Sequence, residues 1–474
     1  MTAPPFTTRP EIRGRFGVVA STHWIASGVG MAVLEKGGNA FDAAVAAGFA
    51  LQVAEPHLNG PGGEVPAIFW AAREGRVRVL CGQGTAPAGA TIEAFEALGL
   101  DTIPGGGLLP AVVPGAFGGW LAMLRDYGTL RLRDVLEYAI FYAEEGVPVL
   151  PKMAALMARV ERLFREQWPS SAAVYLKGGR MPAVGEWITN PALGATYRRI
   201  LQEAEAAGAG REAQIEAARR AWYEGWVADA VERLYAGPPL LDSSGRAHAG
   251  FLRAEDMAGW APSYEDPVSA TFGRHMVCKC GFWSQGPVML QQLAMLRGLG
   301  LEAMAPQSAD FVHTVTEVAK LAFADREAWY GDPDFADVPD NALLSETYAA
   351  ERRAMLSDAA SLELRPGAPE GRDPDIAAAL SATGDAGAIG HYWSMGEPTT
   401  SELAVSPLGA SRGDTVHLDV ADRFGNLVAA TPSGGWLQSA PVVPELGFCM
   451  SVRGRRPGAS ADAAPRSSQN ICPR

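Results

Sequence analysis

GDTVHLDVADRFGNLVAATPSGGW, Gly413 to Trp436, reads as two short strands joined by a tight turn. From Thr415 to Ala421 apolar and polar residues alternate: Val416, Leu418 and Val420 fall on one face, Thr415, His417 and Asp419 on the other. A period of two is the pattern of a half-buried strand. Asp422 to Asn426 carries the turn residues, and Leu427 to Ala430 returns as the partner strand. Upstream, Leu362 to Thr400 is a polar connection rich in Gly and Ala, so the hairpin begins where a loose linker ends.

The chain offers no obvious histidine-based nucleophile. It has no G-x-S-x-G elbow, no H-E-x-x-H helix and no cysteine–histidine signature. Its seven histidines are scattered. A threonine at a chain N-terminus needs no histidine. Its own α-amine, with a pKa of about 7.7–8.0, can serve as the general base. Such a residue is first internal and is then released by a cut. Gly413-Asp414-Thr415 fits, with a small residue and an acid ahead of a strand start. The competing reading of Thr415 is a β-branched residue that merely favours a strand.

Elsewhere the chain reads as a large soluble protein of mixed helix and strand. Hydrophobic residues make up 48% and charged residues 20%, which separates it from disordered and membrane-spanning classes. A formal net charge of −13 gives no basic footprint for nucleic acid. The longest apolar stretch, Ala43 to Val53, is too short to span a bilayer. The N-terminus shows no secretory signal pattern, so a cytoplasmic location is expected. Five scattered cysteines imply no disulfide framework, and Cys278 and Cys280 read as buried strand residues.

The spacing predicts a strand at Val18 to Ser21 and helices over Ser27 to Leu34 and Ala40 to Val53, the second capped by Asn39 with Asp42 in its first turn. Pro66 to Trp70 and Val77 to Cys81 read as a hairpin. Thr129 to about Leu163 reads as mostly helical, Arg211 to Leu234 as one long amphipathic helix, and Ser308 to Trp329 as a helix capped by Ser308. On the last of these His313, Glu317 and Lys320 share a face. Without a third ligand they read as a hydrogen-bonded structural face, not a metal site. Asn59-Gly60-Pro61-Gly62-Gly63 is a sharp break that fits neither a dinucleotide fingerprint nor a Walker loop.

Several long segments, in order, resemble the γ-glutamyltransferase family. They are VVASTHWIASGVGMAVLEKGGNAFDAAVAAGFALQVAEPHLNGPGGE (Val18–Glu64), GTAPAGAT (Gly84–Thr91), VPGAFGGW (Val113–Trp120), WYEGWVADAV (Trp222–Val231), LRAEDMAGW (Leu252–Trp260), HTVTEVAKLAFADREAWYGDPDF (His313–Phe335) and the Gly413–Trp436 run. The resemblance implies an α/β (α+β) fold, the αββα sandwich of N-terminal-nucleophile hydrolases, with an extended helical region. It implies a precursor that cuts itself between Asp414 and Thr415 into a large subunit (1–414) and a small one (from 415). Thr415 would then take the acyl group from a γ-glutamyl amide such as glutathione and pass it to water or an amine, with no metal or organic cofactor. Ser433 falls where the family places a hydroxyl that hydrogen-bonds the nucleophile, and Gly434 and Gly435 follow it in the substrate loop.

Two departures shape the expectation. Where the family has an Arg-Glu pair before Thr-Ala-Pro, this chain has Gln83-Gly84. A neutral amide cannot form the charge-assisted pair that grips a carboxylate. With the Pro432-Ser433-Gly434-Gly435-Trp436 loop, Gln83 resembles the acylase-type branch, so a cephalosporin-acylase-like amidase is the alternative. Second, residues 451–474 are basic, roughly +4, lack apolar periodicity and read as a disordered tail beyond the hairpin region 415–450. The family's later motifs have no match there, so an inactive, truncated precursor is a further alternative.

Overall fold

The computed structural model describes residues 11–100, 103–374 and 415–454. Its centre is a six-stranded, wholly antiparallel sheet: β1 (Gly17–Ser21), β2 (Val65–Ala71), β3 (Arg76–Gly82), β4 (Ser263–Glu265), β5 (Leu418–Asp422) and β6 (Leu427–Ala430). The spatial order is β1-β5-β6-β2-β3-β4. The hairpin read from the sequence is therefore inserted between the first two strands of the chain. Leu418 pairs with Ser21 on one side and Ala430 on the other, and Ala430 pairs in turn with Ala67.

One face of this sheet is packed. Leu418, Val420, Val428, Ala430, Ala67 and Phe69 are buried under helices α1 (Trp24–Glu35), α2 (Ala40–Ala54) and α3 (Gly115–Tyr127). Every residue of α2 is buried, which its run of alanines permits: small side chains let neighbouring elements approach from all sides. The opposite face carries a cross-strand row of Val18, Ala421, Leu427, Trp70 and Val77. Val18, Leu427 and Trp70 in it are 41%, 51% and 37% exposed, far more than an interior layer would be. Among the described residues helices thus cover one face of this sheet, and a second, separate cluster packs around Met295, Val318 and Leu321, in a mixed helix-and-sheet fold. No helix among the described residues is long and apolar enough to cross a membrane.

Helix starts are fixed by buried polar groups. Asn39 caps α2 with Asp42 at the third position, as the sequence predicts, and Asp42 closes a capping box as well. Asp42 also accepts from the backbone of Thr129 and Leu130, tying a distant loop to the same helix end. At the hairpin turn Asp422 accepts from Phe424 and Asn426 and reaches across to the backbone N–H of Ala40. The turn therefore docks onto the N-terminus of α2, where a carboxylate is favoured.

The region from Thr129 is mostly helical as expected, in two helices, Leu132–Glu145 and Pro151–Glu166, broken where Gly146 takes φ +102° and a short strand intervenes. Other expectations need correction. The long helix from Arg211 is also two, Arg211–Tyr223 and Trp226–Tyr235, because the chain turns at Glu224-Gly225. Cys278 and Cys280 are half-buried, not buried; only Cys278 lies within a strand, and both are free thiols. The stretch from Ser451 is not solvated throughout, since Ser451, Val452 and Gly454 are buried. The helix Ala309–Trp329 does form with Ser308 as its cap. Its shared face is structural: Glu317 accepts from Lys320 and Arg365, and His313 contacts the Ser357 carbonyl.

His23 caps α1 with Nδ1, which accepts the Ile25 N–H at 3.1 Å, and burial pulls its pKa down to about 4. An imidazole held neutral in the fold must charge in the unfolded chain as pH falls below 6.5. Between pH 6.5 and 4 the unfolded state binds the extra proton, so the stability contributed by neutral His23 is lost as pH falls through that window. Denaturation midpoints measured across it are expected to fall more steeply for the wild type than for His23→Asn, which keeps the cap but cannot titrate. Parallel curves would show that His23 does not contribute.

Candidate active site

Two glycine turns create the site. Asn59 to Gly63 leads into β2, and Ser433 to Gly435 leads out of β6. Glu64 and Ser433 pair as an antiparallel bridge, exchanging backbone hydrogen bonds of 2.9 and 3.1 Å. At Gly63 a Cβ would stand 2.1 Å from the Ser433 carbonyl oxygen, so only glycine lets the turns approach this closely. Gly434 has φ +70°, and a Cβ there would meet Glu64 Oε2 at 2.1 Å. Both the backbone angle and the neighbour require glycine. The third component is Met450 to Arg453, which runs alongside: Met450 bridges Gly62, and the Ser451 N–H donates to the Gly62 carbonyl at 2.7 Å.

Thr415 lies at the mouth of this junction, half-buried, three residues ahead of β5. Its strand is held to the loop by Val416, whose N–H donates to the Pro432 carbonyl. Thr415 Oγ1 and Ser433 Oγ are 2.9 Å apart and hydrogen-bonded. The structure therefore brings together two hydroxyls 18 residues apart in sequence, both named from the sequence. Asp414 lies outside the described residues. His417, on the same face as Thr415, commits its ring nitrogens to Thr431 and Asp419, each at 3.0 Å.

Behind Ser433 is a group that reading the sequence missed. Arg453 Nη2 donates to Ser433 Oγ at 2.6 Å, and its Nε donates to Glu64 Oε1 at 2.5 Å. Glu64 is buried, and its other oxygen accepts from Ser451 Oγ at 2.9 Å. The Arg453 guanidinium lies 5.2 Å from the centre of the Trp436 ring, and Trp436 is itself pinned by donating to the Leu58 carbonyl. Glu64 had a signal in the sequence, an acid straight after a glycine break. Arg453 had none, because it sits among basic residues that look solvated.

Gln83 follows β3, whose last residue Gly82 pairs with Val65, next to Glu64. It therefore lies at the same end of the sheet as Ser433. Its backbone carbonyl accepts from Trp260, while its side-chain oxygen is buried without a hydrogen-bond partner among the described residues. Among the described residues no cluster of His, Cys, Asp and Glu has the makings of a metal site.

A sequence profile of the gamma-glutamyltranspeptidase family matches residues 26–470. This chain belongs to that family. It is 30% identical to the glutathione hydrolase-like YwrD proenzyme of Bacillus subtilis, over 79% of this chain and 66% of that protein. The solved structure LmbA2991HD is 50% identical and superposes with a TM-score of 0.84, covering 96% of this chain and 77% of that one. The cephalosporin acylase from Bacillus halodurans is 28% identical with a TM-score of 0.73, covering 98% of this chain and 75% of that one. The chain spans about two thirds of the length of the curated relatives it matches, 65% to 68% of the first few. Membership accords with the mixed helix-and-sheet class expected from the sequence.

Replacing Gly434 with Ala is expected to cost more than the roughly 1–2 kcal/mol of left-handed strain, because the Glu64 carboxylate must also move. Gly178, at φ +60° with open space around it, supplies the control for strain alone. Chemical denaturation should show Gly434→Ala losing clearly more stability than Gly178→Ala; equal losses would contradict the packing described.

Proposed function

We propose that this chain is the precursor of an N-terminal-nucleophile amidohydrolase or acyltransferase acting on γ-glutamyl amides such as glutathione, with Thr415 as the nucleophile. The observation that carries the reading is the 2.9 Å hydrogen bond between Thr415 Oγ1 and Ser433 Oγ at the junction of the two glycine turns. The name of the Bacillus subtilis relative, a hydrolase proenzyme, supports both the chemistry and the need for a cut.

Maturation needs one N-to-O acyl shift. Thr415 Oγ adds to the carbonyl carbon of Asp414, the C–N bond breaks, an ester forms, and the hydroxyl proton ends on the Thr415 nitrogen. Water then hydrolyses the ester, leaving the Asp414 carboxylate and a free N-terminal Thr415. In turnover the new α-amine accepts the Oγ proton as Oγ attacks the substrate carbonyl. The departing amine takes that proton, and water or an acceptor amine resolves the acyl-enzyme. Ser433 offers a donor to the oxygen as its charge develops. Two subunits from one precursor and a small amide substrate are the partners this scheme requires.

A second reading, a cephalosporin-acylase-like amidase for other acyl groups, is favoured by one residue. Gln83 carries no charge with which to hold an α-carboxylate, and the Bacillus halodurans acylase is among the structural neighbours.

Mass spectrometry of the purified protein is expected to find a fragment beginning at Thr415. Thr415→Ala should stay whole, and Thr415→Ser should cut more slowly than wild type. A fragment starting elsewhere would remove the assignment. The two substrate readings separate in a paired assay with γ-glutamyl and glutaryl anilides. A charge-assisted hydrogen bond is worth about 1.5–3 kcal/mol, roughly one to two decades of affinity. Gln83→Arg should therefore shift the ratio of turnover toward the γ-glutamyl compound. A wild type that already prefers that compound strongly, with no shift on substitution, would rule out a role for Gln83.

A further inference from the structure

We infer that Arg453 is a positioning residue for Thr415, acting through Ser433, with buried Glu64 as its anchor. The inference rests on the reading of Thr415 as nucleophile. Its basis is a chain of three hydrogen bonds, two of which have their direction set by arginine. A guanidinium only donates, so Arg453 Nη2 must occupy a lone pair of Ser433 Oγ, at 2.6 Å. Ser433 keeps one proton and a second lone pair, and Thr415 Oγ1 at 2.9 Å is the neighbour to which we assign that proton. A serine hydroxyl that accepts from a cation is a stronger donor than one that accepts from water, because the bonds polarise one another. The chain Glu64, Arg453, Ser433, Thr415 therefore aims a polarised O–H at the oxygen that must become anionic as it attacks.

The anchor explains why arginine serves and lysine would not. Arg453 reaches Glu64 through Nε and Ser433 through Nη2, two donors in one rigid plane. Glu64 cannot swing away, since its backbone is paired with Ser433 and its second oxygen accepts from Ser451. Trp436 covers the guanidinium from one side. The same backbone bridge that holds Glu64 thus holds Ser433, so distances along the chain are set by the sheet and not by flexible side chains. A lysine would carry the charge but offers a single nitrogen, which cannot bridge both partners with the same geometry.

The test is the rate of cleavage between Asp414 and Thr415 in the full chain, followed by intact mass from freshly made precursor. Arg453→Met alone would leave a buried carboxylate unpaired and could unfold the protein. The variants are therefore Arg453→Lys and the neutral pair Glu64→Gln with Arg453→Met, each with and without Ser433→Ala, and with a thermal melt for each. Expected is a slowing of about 10-fold or more when Ser433 is present. In the Ser433→Ala background the same changes should slow cleavage by less than about 3-fold, because the route through Ser433 is already gone. Equal slowing in both backgrounds would mark Arg453 as a general structural support and overturn the inference. So would cleavage at the wild-type rate. If the wild type itself never cuts at Thr415, the nucleophile assignment fails and this inference falls with it; a wild type that cuts while Arg453 proves irrelevant removes the inference alone.

Discussion

The site depends on how closely two backbones can pass. The turn at Gly60 to Gly63 lies against Ser433 to Gly435 and Cys449 to Met450, so that a Cβ at Gly62 would stand 2.2 Å from the Cys449 carbonyl oxygen. No side chain separates these segments. The approach lets Glu64 and Ser433 exchange backbone hydrogen bonds, and that bridge fixes the plane from which both side chains project. Any residue larger than glycine at the contact would push the Glu64 carboxylate away from Arg453 and Ser433 away from Thr415. The Thr415–Ser433 hydroxyl pair is placed by backbone packing first and by side-chain hydrogen bonds second.

That packing also explains how a charged pair is tolerated here. Glu64 is 2% exposed, and an isolated carboxylate so placed would be costly. Its two oxygens accept from Arg453 and Ser451, and the pairing offsets the loss of water. Such an arrangement contributes little net stability, because desolvation of both ions opposes their attraction. It gives direction instead. Arg453 can only donate, so Glu64 and Ser433 must both accept from it.

The sheet that carries the site has two unlike faces. The face under α2 is apolar and closed, while the other bears the half-exposed row through Val18, Leu427 and Trp70. Thr415, His417 and Asp419 belong by alternation to this open face, where His417 and Asp419 are exposed and Thr415 is half-buried. The hairpin, paired with β1 and β2 on its two sides, is also anchored where its turn residue Asp422 docks onto the start of α2. A capped helix and a strand turn share one carboxylate, so helix layer and sheet layer are registered at that point.

Local patterns settled much of this protein. Alternation located β5 and β6, Asn39 and Asp42 marked the start of α2, and Ser308 marked the long helix, because each of these is set by residues within a few positions of one another. Thr415 and Ser433 were legible for a similar reason: they sit on one hairpin, and the resemblance of the Gly413–Trp436 run to a known family gave them roles. The helix breaks at Gly146 and Gly225 are masked by an apolar period that continues through them, although Gly146, Pro148 and Pro151 carry a local breaking signal at the first. Arg453 was the largest gap. It lies 389 residues from Glu64 in a stretch whose composition suggests solvent, and nothing local distinguishes it from the arginines beside it. Only the tertiary fold, by laying Ser451 to Arg453 against the first glycine turn, brings the Arg453 guanidinium to a buried carboxylate and a serine hydroxyl. Long-range charge pairing leaves no period in a sequence, because it is fixed by where the backbones meet and not by spacing along the chain.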